Sequence, residues 1–236
     1  VRHGLAEALG LEMPAFGWHT DRAALAEFSA WSTRVAGSLA KFAEDVILGS
    51  QSGIGELSIG AGGSSSTMPN KQNPVAAETI YSLFRVAVAM DGSMQQALLH
   101  RQQRDGGAWA LEWHALPQLC MACASALNHA LSLAKNLRPD AERMRANLEQ
   151  DGGLVYAEAI SFALARIMPR FEAQARVKEL CRQAQSDDAQ LVDLARQAFP
   201  DIDWDTIVMA GAQLGDAPAQ ARRFAAQVAA LSAHNR

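Results

Sequence analysis

The sequence predicts an all-α protein built from a bundle of long helices followed by a small helical C-terminal domain. Its composition favours helix: it is rich in alanine, leucine and glutamine and holds only two tyrosines in 236 residues. Apolar residues also recur at every third or fourth position over long stretches. Proline and glycine then cut the chain into segments of helical length.

Residues 1–10 read as the end of a helix closed by Gly10. The chain opens on Val1-Arg2-His3 without an initiator methionine, so a segment is expected to precede it. Residues 11–20 form a connector with Pro14, Gly17 and the run Trp18-His19-Thr20, where Thr20 suits a helix cap and Asp21 the first turn. Leu25, Phe28, Val35, Leu39, Phe42 and Val46 then mark a helical seam of about seven turns. Residues 50–73 break the pattern, being rich in glycine and serine. A segment of this kind is expected to be mobile and unable to pack a core. Asn73 and Pro74 suit the cap and first position of a second long helix, reaching about His100. A third spans roughly residues 108–135 and stops before Arg138-Pro139. Residues 1–140 thus form a central bundle domain, and residues 141–236 a C-terminal domain of shorter helices broken near Pro169 and Pro200.

Bulk properties exclude several function classes. A net charge of −4 argues against a nucleic-acid partner. No apolar run is long enough to span a membrane. Three cysteines provide no disulfide framework, which fits a reducing, cytoplasmic setting. Cys120 and Cys123 read as buried structural thiols, since no second pair completes a zinc site.

Chemistry concentrates in the run Gly63-Ser64-Ser65-Ser66-Thr67-Met68-Pro69-Asn70-Lys71-Gln72-Asn73-Pro74. Small residues free the backbone, hydroxyls can carry a proton, and Lys71 and Asn73 supply charge and amide donors. The helix that follows favours an anion at its N-terminus. Together these features suit holding a carboxylate while a proton moves beside it. Read on residue types alone, the same stretch also fits a solvated linker before a capped helix.

This run resembles the signature of the fumarase/aspartase superfamily, G-S-S-x-M-P-x-K-x-N-P. Ser65, Ser66, Met68, Pro69, Lys71, Asn73 and Pro74 match it, and Ser64 stands in place of its glycine. The resemblance implies proton transfer next to a carboxylate, with Ser65 as the proton-transferring group. It implies that Lys71, Asn73, Ser66 and Met68 contact the substrate, that no cofactor or metal takes part, and that four copies share one helical bundle. Three of those copies would contribute to each site.

A second run narrows the branch. Arg104, Asp105, Gly106, Ala108, Trp109, Glu112, Trp113, Ala115, Leu116 and Pro117 resemble the muconate-cycloisomerase pattern E-R-D-G-A-A-W-x-x-E-W-x-A-L-P. Gln103 replaces its glutamate and Gly107 an alanine. The adenylosuccinate lyase branch has a serine and a phosphate-gripping arginine at the positions of Trp109 and Trp113, and indoles cannot replace them. The resemblance therefore implies a small polycarboxylate substrate, with Arg104 as a carboxylate ligand. The alternatives are another lyase of the superfamily, or a fragment that only self-associates. Trp109 and Trp113 are expected to pack in the core from one helix face. Glu78 suits an ion pair as well as a site role. Tyr156 is expected to pack, and His19, His100, His114 and His129 to be polar helix or loop residues.

Overall fold

The computed structural model describes residues 1–60, 63–64, 72–208 and 214–234. Ten α-helices form among them, with four two-residue strands and one 3-10 turn. The chain divides into two compact units, residues 1–141 and 142–236.

In the first unit, α1 (Arg2–Leu9) closes at Gly10, whose left-handed φ of 63° ends the helix as expected. Three long helices follow: α2 (Ala23–Gly49), α3 (Val75–Gln96) and α4 (Gly106–Asn136). Their order along the bundle follows from side-chain contacts. The Ser29 hydroxyl donates to Asp91, while Val46, Ala77 and Ile80 share one cluster, so α2 and α3 run antiparallel. Arg22 meets Glu112, and Leu133 lies with Val46, so α2 and α4 run parallel. One end of the bundle therefore carries the starts of α2 and α4 and the end of α3. The other end carries the start of α3.

The buried face of α2 differs from the expected seam. It consists of Ala26, Ser29, Ser32, Ala36, Ala40, Ala43 and Val46, while Phe28 is exposed and Leu39 and Phe42 are only partly covered. Ala77 and Ala87 on α3 and Ala126 and Ala130 on α4 pack in the same clusters as that face. Small side chains let helix axes approach, and larger neighbours are displaced to the flanks. Phe28, Trp31 and Leu48 on α2, Val86 and Val88 on α3, and Met121, Leu127 and Leu131 on α4 all remain exposed.

Three further expectations are corrected. Helix α2 starts after Arg22, with the Asp21 carboxylate accepting from the Ala23 N–H at 3.2 Å, so Thr20 is not the cap. Helix α3 starts one residue late, with Pro74 at the cap position and no side-chain cap from Asn73. Part of the glycine-rich segment packs: Leu57–Ser58 (β1) pairs antiparallel with Arg138–Pro139 (β4), and Ile59 is buried in the same cluster as Val46 and Ile80. Glycines there do not prevent packing, because Leu57 and Ile59 are apolar and the backbone is satisfied by pairing. Gly63–Ser64 (β2) pairs with Gln72–Asn73 (β3), which brings the two ends of the signature run together.

The second unit packs α6 (Ala157–Leu164), α7 (Arg170–Ser186), α8 (Leu191–Ala198) and α9 (Trp204–Val208) around Ile160, Leu164, Val177, Leu191 and Trp204. Tyr156 lies against this core, as expected, and the Trp204 indole N–H donates to the Phe199 carbonyl at 2.9 Å. Helix α5 (Ala141–Glu149) precedes them and α10 (Ala217–His234) ends the described chain. Among the described residues no helix is long and apolar enough to cross a membrane.

The alanine face sets the helix spacing, so Ala126→Leu is expected to overpack it. The cost should be about 1–3 kcal/mol, read as a lower urea midpoint with unchanged slope.

Candidate active site

The end of the bundle formed by the starts of α2 and α4 holds a buried polar cluster. Arg22 donates from Nε to Glu112 Oε1 at 2.7 Å and from a terminal nitrogen to Oε2 at 2.5 Å. Arg22 keeps only 10% of its side-chain surface exposed and Glu112 only 4%. This two-point geometry offsets part of the cost of desolvating the pair. The Glu112 carboxylate raises Arg22 above its ordinary value. Another Arg22 nitrogen donates to the Trp18 carbonyl at 3.2 Å, and the guanidinium lies 5.1 Å from the Trp18 ring centre. The Trp18 ring in turn stacks on His19 at 5.6 Å. Two chain segments 90 residues apart are thus tied together through one carboxylate, and a third comes beside it.

The third segment is His100, expected to be an ordinary polar residue. Its side chain is fully buried, with Nε2 3.6 Å from Glu112 Oε1, beyond hydrogen-bond reach, and neither ring nitrogen has a partner. Sequence reasoning missed Arg22, His100 and Glu112 as a group. The one available signal was an acid, Glu112, inside an otherwise apolar stretch of α4.

Asp105 caps α4. Its Oδ1 accepts from the N–H groups of Gly107 at 2.9 Å and Ala108 at 3.2 Å, and its Oδ2 accepts from Arg101 Nε at 2.7 Å. Arg101 first, then the helix N–H groups, hold this carboxyl well below the usual carboxylate range. Gln102 takes a left-handed φ of 56° in the turn between them, a conformation that non-glycine residues rarely adopt.

Arg104 is exposed and makes no ion pair with the described residues; its guanidinium lies 5.6 Å over the Trp109 ring. Trp109 is half-buried and touches Trp113 at 6.1 Å, but Trp113 is 70% exposed, so it is not the core residue expected. Cys120 is likewise exposed, whereas Cys123 is buried. Among the described residues no group of acids, histidines and cysteines could hold a metal ion.

Ser65, Ser66, Met68 and Lys71 lie outside the described residues. Asn73 lies just before α3, and Arg104 lies beyond its other end. The 22 residues of α3 separate them by about 33 Å. One chain therefore does not bring Asn73 and Arg104 into one site.

A family described as Lyase matches residues 1–88. The solved structure of 3-carboxy-cis,cis-muconate lactonizing enzyme from Pseudomonas putida superposes with a TM-score of 0.84 at 32% identity, covering 94% of this chain and 51% of that one. The fold is of the fumarase/aspartase type. In sequence, the chain is 44% identical over 187 residues to 3-carboxy-cis,cis-muconate cycloisomerase of Pseudomonas aeruginosa, covering 78% of this chain and 41% of that protein. It is 38% identical to the Pseudomonas putida protein of the same name, covering 81% and 46%. The chain therefore spans about half the length of the curated relatives it matches.

Two outcomes test this cluster. Arg22→Met leaves Glu112 buried and unpaired, and should cost about 3–5 kcal/mol in urea unfolding, while adding Glu112→Leu recovers most of it. Asp105 has a depressed value when folded, so its contribution is present above the unfolded value of about 4 and is lost as pH falls below it. The melting-temperature gap between wild type and Asp105→Ala should therefore be wide at pH 7 and narrow progressively below about pH 4.

Proposed function

We propose that this chain supplies the signature loop, the bundle and the C-terminal domain of an enzyme that interconverts 3-carboxy-cis,cis-muconate and 4-carboxymuconolactone. The observation that carries this reading is the 44% identity with a cycloisomerase of that name across most of this chain. The run from Arg104 through Trp109 to Trp113 supports it, because two indoles occupy positions that a nucleotide-binding lyase would need for phosphate ligands.

In the lactonising direction a substrate carboxylate oxygen adds across a double bond. The new C–O bond leaves negative charge on the neighbouring carbon, delocalised into the adjacent carboxylate. Lys71, Asn73 and the first N–H groups of α3 stabilise that charge, since a helix start is electrostatically positive. Ser65 donates the proton that completes the addition, and in the reverse direction removes it. Its hydroxyl is a poor base unless the same N–H groups and Lys71 stabilise the alkoxide. Ser66 and Met68 line the substrate. No cofactor or metal enters these steps.

The separation of Asn73 from Arg104 supports a site assembled from different copies. The exposed large side chains on the outer faces of α2, α3 and α4 support burial of those faces in a homotetramer. A small polycarboxylate as substrate fits a cytoplasmic role in protocatechuate breakdown.

The test follows the ultraviolet absorbance of 3-carboxy-cis,cis-muconate with this chain and with a form extended to the relatives' full length. The extended wild type should consume the diene, and Ser65→Ala should lower the rate by about 10²–10⁴. No turnover by a folded tetramer, with turnover of adenylosuccinate instead, would transfer the chain to another lyase activity.

A further inference from the structure

The turn between α3 and α4 sorts its two arginines into different tasks. Arg101 takes the Asp105 carboxylate, which is further occupied by the N–H groups of Gly107 and Ala108. Arg104 is left without an acid among the described residues and rests over the Trp109 ring at 5.6 Å, within cation–π range. Trp109 is itself braced by Trp113, whose ring is tilted 35° to it. Gln102, between the two arginines, takes a left-handed φ of 56°.

Resting on the reading above, we propose that Trp109 is a positioning residue that holds Arg104 as a planar fork for a substrate carboxylate. An indole under one face of the guanidinium leaves its in-plane N–H edge free. Two parallel N–H groups in one plane match the two oxygens of a carboxylate. Trp109 therefore acts on carboxylate binding through the orientation of Arg104. Its side chain acts on KM through Arg104 and leaves the proton transfer at Ser65 alone.

The experiment compares wild type, Trp109→Leu, Trp109→Phe and Arg104→Lys, each in the extended tetramer, with 3-carboxy-cis,cis-muconate as substrate. Removing the ring should raise KM about two- to fivefold with kcat within about twofold. Phenylalanine, which keeps a ring face, should restore most of the affinity. Arg104→Lys keeps the charge but loses the planar fork, and should weaken binding at least as much as Trp109→Leu. An unchanged KM in a folded Trp109→Leu protein overturns the proposal, as does a loss confined to kcat or a phenylalanine variant no better than leucine. Failure of the functional reading shows separately, as absence of turnover in wild type. Calorimetric titration with fumarate then decides the turn alone. Binding that weakens in Trp109→Leu and recovers in Trp109→Phe supports the fork, and equal binding in all forms, or none in wild type, overturns it.

Discussion

Close approach of three helices through alanine and serine is the constraint on which the first unit depends. Ala36, Ala43, Ala77, Ala87 and Ala126 are fully buried, and nothing larger would fit between axes at that spacing. The consequence runs outward. Large side chains that would normally fill a core are displaced to the flanks, where Trp31, Val88, Met121 and Leu131 face away from the bundle. The unit is therefore tightly packed inside and keeps several large apolar side chains on its outer faces.

The polar cluster at one end of the bundle complements that spacing. Arg22, His100 and Glu112 come from the segment before α2, the α3–α4 turn and α4 itself. The Glu112 carboxylate ties the start of α2 to α4 through Arg22, with His100 buried beside it, so this end is held by charge while the helix middles are held by shape. Asp105 repeats the device on a smaller scale, by capping the first turn of α4 and binding Arg101. Arg104, in the same turn, lies over the Trp109 ring.

Much of this was legible in the sequence. Long apolar spacings located α2, α3 and α4 to within a few residues, because a helix needs periodicity and these stretches carry it. The buried face was not legible. Leu25, Phe28 and Leu39 dominate any count of hydrophobicity, yet alanine decides which side can pack closely, and its signal is weak in a sequence that is rich in alanine everywhere. The Arg22–Glu112 pair was also hidden, since its partners stand 90 residues apart and no local pattern joins them. Asp105 sits within four residues of both Arg101 and Arg104, and composition cannot say which of the two it holds; only the folded turn shows that it is Arg101. The signature run offered Ser65 and Lys71 by resemblance, and that resemblance is independent of backbone geometry.

Helix α3 carries Asn73 just before its start and leads through the turn to Arg104 at its far end, some 33 Å away. A rod of that length acts as a lever. A tilt of about two degrees at one end displaces the other by about 1 Å, a shift large enough to change a reaction rate by about 10²-fold when it misplaces a catalytic group. Stiffness in α3, rather than closeness, is thus what would let events at one end be felt at the other.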